Sequence, residues 1–250
     1  MSETKIGVRG VALITGANKG LGLETARQLG RLGFTVVLGS RDGLKGEVAA
    51  RQLRDEGLDA RTVKLDVTRQ TDIDAAAAWI ESEFGRLDVL VNNAGVMIEK
   101  DWKKNTTSET TLENLRTTFE SNVFAAFAVS KAMLPLLKKS EAGRVVNVSS
   151  ILGSVSLQAT KGSPTYGTKL FAYNASKAAL NVLTISLAHE LRGTKVKVNS
   201  AHPGWVKTDL GGGAAPMEVV DGAKTMVELA TLGEDGPTGG FFHEGTAIAW

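Results

Sequence analysis

Tyr173-Asn174-Ala175-Ser176-Lys177 places a phenol and an ammonium four residues apart at the head of an apolar-periodic segment. On a helix, residues at that spacing share a face, so the two groups point into the same space. A cation held beside a phenol favours the phenolate and draws its pKa down from roughly 10 toward working pH. Such a tyrosine gives a proton to a carbonyl oxygen or takes one from an alcohol. Ala178, Leu180, Leu183, Leu187 and Leu191 follow, the periodicity that a docked helix needs. A second pair, Tyr166 and Lys169, comes just after Gly162-Ser163-Pro164, where a loop is expected and that periodicity is missing. Tyr173 is therefore the candidate acid.

Toward the other end, Thr15-Gly16-Ala17-Asn18-Lys19-Gly20-Leu21-Gly22 joins an apolar run to a helical pattern with Leu23, Ala26 and Leu29 on its inner face. Gly16, Gly20 and Gly22 let the backbone turn tightly and approach a pyrophosphate, whose charge is favoured at a helix N-terminus. The spacing is Gly-x-x-x-Gly-x-Gly rather than the Gly-x-Gly-x-x-Gly of other dinucleotide folds. Leu38-Gly39-Ser40-Arg41-Asp42 ends the next strand. An acid ending that strand suits the ribose hydroxyls of NAD, whereas a nearby arginine suits the 2′-phosphate of NADP. Ser40 ends the strand, Arg41 follows, and Lys19 adds a second positive charge for the same phosphate. Asp42 is the opposing signal, or else the cap of the next helix. NADPH/NADP+ is the expected cofactor. Asp66, in Leu65-Asp66-Val67, is placed to bind the adenine amino group or to form a turn. In Asn92-Asn93-Ala94-Gly95 the small residues let a cofactor pass close, and the amides tie neighbouring strands.

These groups need a scaffold. Apolar runs at 11–15, 35–39, 61–65, 89–92, 145–149 and 196–201 predict strands, and helical patterns alternate with them, as at 71–84 and 112–137. Thr110-Thr111-Leu112-Glu113 has the form of a capping box opening the latter. The alternation predicts right-handed βαβ units: a single-domain Rossmann-type, doubly wound parallel sheet with helices on both faces. One domain spans 1–250, with a polar lead-in over 1–10, an inserted loop over 153–170 and a substrate lid over 211–232. Gly239-Gly240-Phe241-Phe242 is expected as a final strand.

With 42% hydrophobic and 22% charged residues and a net charge of +2, the chain has no balance favouring nucleic acid or a membrane surface. It has no cysteine, hence no disulfide, thiolate nucleophile or Cys-based metal site, which suits a cytoplasmic setting. His189, His202 and His243 form no metal spacing, so no metal is expected, and His202 beside Pro203 is read as structural.

Taken together, Thr15-Gly16-x-x-x-Gly20-x-Gly22, Asp66, Asn92-Asn93-Ala94-Gly95, Asn122, Ser149-Ser150, Tyr173-x-x-x-Lys177 and Pro203-Gly204 stand in a familiar order. The chain resembles the short-chain dehydrogenase/reductase family over essentially its whole length. Asn18-Lys19-Gly20, Ser40-Arg41-Asp42 and Pro203-Gly204-Trp205-Val206-Lys207-Thr208-Asp209 most resemble its carbonyl-reductase-like branch. The resemblance implies Tyr173 as proton donor and Ser150, rather than Ser149, as hydrogen-bond donor to the substrate oxygen. It implies that Lys177 lowers the Tyr173 pKa and binds the nicotinamide ribose, and that Asn122 holds a water in a relay to Lys177. Thr208 would contact the cofactor, Asn93 would support it through its backbone, and Asn18, Leu21, Val67, Ala94, Gly95, Pro203, Gly204 and Val206 would line it. Met97, Trp205 and Leu210 are candidates for the substrate pocket or for the core. The interval from Ser150 to Tyr173 is longer than the family commonly shows.

The expected function is NADPH-dependent reduction of a ketone or aldehyde by a homodimer or homotetramer. The alternatives are an NADP-dependent alcohol dehydrogenase running oxidatively and a dinucleotide-binding regulator without turnover. The full set of Asn122, Ser150, Tyr173 and Lys177 argues against the regulator, because a pure binder needs no activated phenol.

Overall fold

The computed structural model describes residues 10–99 and 106–250; the lead-in expected over 1–10 lies, but for Gly10, outside them. β1 (Gly10–Thr15) and β2 (Phe34–Ser40) are buried along their whole length, as Val- and Leu-rich strands covered on both faces must be. α1 (Gly20–Arg31) joins them. Next come α2 (Gly43–Asp55), β3 (Ala60–Lys64), α3 (Gln70–Phe84) and β4 (Val89–Asn92). The chain continues with α4 (Leu112–Phe119), α5 (Ala125–Lys138), β5 (Arg144–Val148), α6 (Val155–Ala159) and α7 (Phe171–Glu190). It ends with β6 (Lys197–Ala201), α8 (Val219–Gly222), α9 (Lys224–Ala230), β7 (Phe241–His243) and β8 (Thr246–Ala247).

All these strands join one sheet in the order β3-β2-β1-β4-β5-β6-β7-β8. β1 to β7 pair in parallel, and β8 pairs antiparallel to β7. Alternation along β1 sends Ala12 and Ile14 to one face, Val11 and Leu13 to the other. Leu29 of α1, Leu53 of α2 and Met226 of α9 cover the first face. Ile73 and Ile80 of α3, Met133 of α5 and Leu187 of α7 cover the second. This is the doubly wound α/β sheet expected. The strand order reverses between β1 and β4, and ligands of such sheets bind at the carboxyl ends of the strands flanking that point. No helix among the described residues is long and apolar enough to cross a membrane.

Four local features differ from expectation. The helix predicted over 112–137 is interrupted by a π-turn at Glu120–Phe124, where Ala125 N–H donates to Glu120 O. Its cap is Thr111, whose Oγ1 accepts from Asn114 N–H at 3.1 Å, rather than Thr110, whose hydroxyl donates to Glu99. The loop expected over 153–170 opens with ordered turns: Ser150 caps a 3-10 turn at Ile151–Gly153, and Ser154 caps α6. This excursion is pinned by Trp250, whose main-chain oxygen accepts from Ser156 N–H at 2.9 Å and whose indole stacks on Phe241 at 5.6 Å. Finally, β8 adds an antiparallel edge to a sheet expected to be wholly parallel.

Candidate active site

Gly16 and Gly20 adopt left-handed φ values of 63° and 57°, which bend β1 into α1. Gly22 has no room for a side chain, since a Cβ there would lie 2.5 Å from Asn93 Nδ2 and 2.7 Å from Gly16 O. Lys19 occupies the cap position of α1 without a side-chain cap bond, and no acid stands in the first turn. The helix thus presents its first amides to an anion. Beyond β2, Ser40 is buried and donates to Asp42 O at 2.8 Å, while Arg41 is exposed. Asp42 is engaged in capping α2, its Oδ1 accepting from Leu44 and Lys45 N–H at 3.1 Å each. The acid that opposed an NADP reading is therefore turned onto the helix. Lys19, the second charge expected for the same phosphate, forms an ion pair with Asp209 across the glycine turn, both side chains being exposed. Asp66 Oδ1 accepts from Thr68 N–H and Oγ1–H at 3.0 and 2.7 Å, and these bonds hold its carboxyl below the usual range.

The end of β4 is zipped to the glycine turn. Asn93 Nδ2 donates to Thr15 O at 2.8 Å, and Thr15 Oγ1 accepts from the Asn93 and Ala94 amides at 3.0 Å each. Asn92 Nδ2 donates to Asn147 Oδ1 and Ser130 Oγ at 2.8 Å each, tying β4 to β5 and α5. Farther on, the Asn122 amide embraces Val96, accepting from its N–H at 2.8 Å and donating to its carbonyl at 2.9 Å. It also donates to Ser176 Oγ of α7 at 3.0 Å. Both amide protons of Asn122 are thereby engaged.

Ser150 leaves β5 beside the head of α7. Its hydroxyl stands close enough to the Tyr173 phenol to oppose the rise in that group's pKa, and it accepts from Leu152 N–H at 3.2 Å. Ser149 points elsewhere, toward the carbonyl of Lys177 at 3.4 Å. Burial pushes the Tyr173 phenol up to about 12, and the Ser150 hydroxyl opposes this. Lys177, one turn on, lies with Nζ 5.7 Å from the Tyr173 ring centroid and donates to Val148 O at 2.7 Å. Burial pulls its ammonium down to about 8. The lowering of Tyr173 by Lys177 expected above is not found: burial raises the phenol and Ser150, not Lys177, is the group that opposes it.

The loop after β6 closes over the glycine turn. Thr208 Oγ1 accepts from Gly211 N–H at 3.1 Å, and its methyl lies 3.7 Å from where a Gly20 Cβ would stand. Val206 bridges to Met217, closing the base of the glycine-rich tract. Gly204 has φ 88° and Trp205 donates Nε1–H to Gly211 O at 2.8 Å. Tyr166 lies in no helix; it is exposed, with Lys169 Nζ 5.1 Å over its ring. His202 and His243 lie with ring centroids 4.8 Å apart and planes tilted by 46°, and burial pushes His202 down to about 3.

Two participants escaped the sequence reading. Gly153 packs directly on Lys177: a Cβ there would lie 2.7 Å from Lys177 C and 2.8 Å from its Cβ. Its place two residues past the Ser150-Ile151 step was the only available signal. Glu99 is buried and contacts the head of α7, 74 residues away, with no local signature at all.

A family model described as short chain dehydrogenase matches residues 10–218. Carbonyl reductase (NADPH) 1 of Mus musculus is 35% identical, over 97% of this chain and 99% of its own. (+)-Neomenthol dehydrogenase of Capsicum annuum is 32% identical, over 93% of this chain and 95% of its own. The solved structure of NADPH-bound carbonyl reductase from chicken fatty liver superposes with a TM-score of 0.83 at 31% identity, covering 98% of this chain and all of the other.

Proposed function

The chain belongs to the short-chain dehydrogenase/reductase family, in its carbonyl-reductase-like branch, and on that footing we propose that it reduces a ketone or aldehyde to an alcohol with NADPH, Tyr173 giving the proton. It is an NADP-dependent oxidoreductase. The observation that carries the finer reading is the Ser150 hydroxyl against the Tyr173 phenol with Lys177 one turn behind. The uncapped head of α1, the side-chain-free Gly22 and the exposed Arg41 fit a dinucleotide along the β1 and β2 ends.

NADPH, when bound, supplies the hydride. Charge then develops on the carbonyl oxygen, where the Tyr173 and Ser150 hydroxyls are placed to stabilise it. A phenol pushed up to about 12 is protonated at neutral pH, so it stands ready as an acid. Lys177, charged below about 8, stabilises the phenolate left when the proton departs. One domain, a lid formed by the glycine-rich tract after Trp205, and a cytosolic homodimer or homotetramer complete the proposal. Exposed Phe124, Phe127, Val182 and Ile185 on the α5 side and on α7 support the assembly. The deciding assay follows NADPH and NADH oxidation over a panel of ketones, aldehydes, quinones and diketones; absence of turnover on every class overturns the reading.

Two quantitative expectations arise here. Lys177 is depressed by burial, so it is protonated below about 8 and neutral above. Reductive kcat/KM should therefore hold on the acid side and fall as pH rises through about 8. A profile flat to two units above that point would remove Lys177 from the mechanism. Arg41→Ala should weaken NADPH binding roughly 10- to 100-fold, the scale of a lost charge-assisted hydrogen bond. NADH affinity should change little, and equal losses for the two cofactors in titration would refute a 2′-phosphate contact.

A further inference from the structure

α7 begins without a cap of its own. The cap residue is Leu170, whose side chain accepts nothing, so the first-turn amides need partners from elsewhere. They find Glu99, which is 5% exposed. Its Oε2 accepts from Tyr173 N–H at 3.0 Å, and its Oε1 accepts from Ala172 N–H at 3.3 Å and from Thr110 Oγ1–H at 3.0 Å. A carboxylate at a helix N-terminus is favoured by the helix dipole, and such charge-assisted bonds are stronger than neutral ones.

We propose that Glu99 is a positioning residue for Tyr173: bonding the tyrosine's own amide, it sets the axial position of α7 and so the reach of the phenol toward Ser150. The proposal rests on the carbonyl-reduction reading above. The segment that carries Glu99 is itself anchored twice. Asn93 is bonded to Thr15 of β1, and Val96 is held on both sides by the Asn122 amide. One stretch of chain therefore runs from the glycine turn to the proton donor, and Glu99 is its far attachment. Register between the dinucleotide turn and the phenol is carried through side-chain amide and carboxylate bonds to the main chain.

The test uses Glu99→Ala and Glu99→Gln in the full chain, with amide hydrogen exchange, kcat, KM and NADPH affinity measured on each. In Glu99→Ala the Ala172 and Tyr173 amides should lose protection while the rest of α7 keeps it. Catalysis should fall roughly 10- to 100-fold in kcat, the scale of a small misplacement of a reacting group, with KM and NADPH affinity little changed. Glu99→Gln keeps one acceptor oxygen, so it should recover part of both readouts; should the alanine variant fail to fold, this variant carries the test, since an NH2 in place of one oxygen still strips one amide of its partner. Wild-type kcat, or retained protection at both amides, overturns the proposal. So does a uniform loss of protection with parallel losses in kcat and NADPH affinity, which marks a folding role only. If wild-type protein shows no carbonyl turnover while the two amides respond as described, the reaction assignment fails and the capping geometry stands.

Discussion

Tyr173→Phe should lose roughly 10²- to 10⁴-fold in kcat, the range that a positioned general acid contributes, with NADPH binding within a few-fold of wild type. The variant is a clean probe because the ring stays buried at the head of α7 and only the hydroxyl goes. In the proposed mechanism Ser150 remains to hydrogen-bond the substrate oxygen, and Lys177 keeps its bond to Val148 O. Without an acidic proton, however, neither can complete the reduction at the same rate. Tyr166→Phe, on the exposed excursion, should keep wild-type activity and so serves as the control. Full activity in Tyr173→Phe, or its collapse in Tyr166→Phe, would mean that the proton comes from elsewhere.

Gly153→Ala should both destabilise the fold and cripple the site. The added methyl would stand 2.7 Å from Lys177 C, 2.8 Å from Lys177 Cβ and 2.9 Å from Lys177 O, and two of these atoms are main chain. Nothing flexible can give way, so the 3-10 turn after Ser150 and helix α7 must separate. Overpacking of this kind costs about 1–3 kcal/mol, a fall in Tm of roughly 2–10 °C for a chain of this size. Because the two parts that separate carry Ser150 on one side and Tyr173 with Lys177 on the other, kcat should fall by up to roughly 10²-fold. Gly167→Ala, in the same excursion but with no atom of the described residues within 4 Å of its added methyl, should be neutral in both readouts. Calorimetry and steady-state kinetics on the pair decide it; wild-type behaviour of Gly153→Ala would sink the contact.

The parts of this molecule that the chain announces are those governed by local rules. β1 and β2 are uninterrupted apolar runs because both sheet faces are covered, and a run of that kind is visible in any window. Tyr173 and Lys177 declare themselves because a helix converts a spacing of four into a shared face. Asp42 declared itself as one of two things, and the bonds to Leu44 and Lys45 decide between them. What stayed hidden depends on distance or on counting. Asp209 reaches Lys19 from 190 residues away, and Glu99 reaches Tyr173 from 74. Thr110 and Thr111 are chemically alike, so only the backbone can choose the cap. α6 is five residues long, too short for periodicity, and rests on Ser154 as its cap. The depressed pKa expected of Tyr173 failed for a related reason: a spacing shows that a cation is near, whereas the balance against burial needs the whole surroundings.

Because Ala125 N–H reaches back to Glu120 rather than to Ser121, α4 and α5 run one residue out of phase across the wide turn. Deleting any one residue of 120–124 would restore an ordinary helix, which the backbone alone would favour. Facing is what would be lost. Each helical residue turns the chain by about 100°, so either the Asn122 amide leaves Val96 and Ser176, or Val129, Met133 and Leu136 roll out of the core. Over a lineage, such a stretch should vary in letter around a fixed Asn122 and scarcely at all in length. The number of residues between Thr111 and Val129 then constrains the chain as firmly as any side chain does.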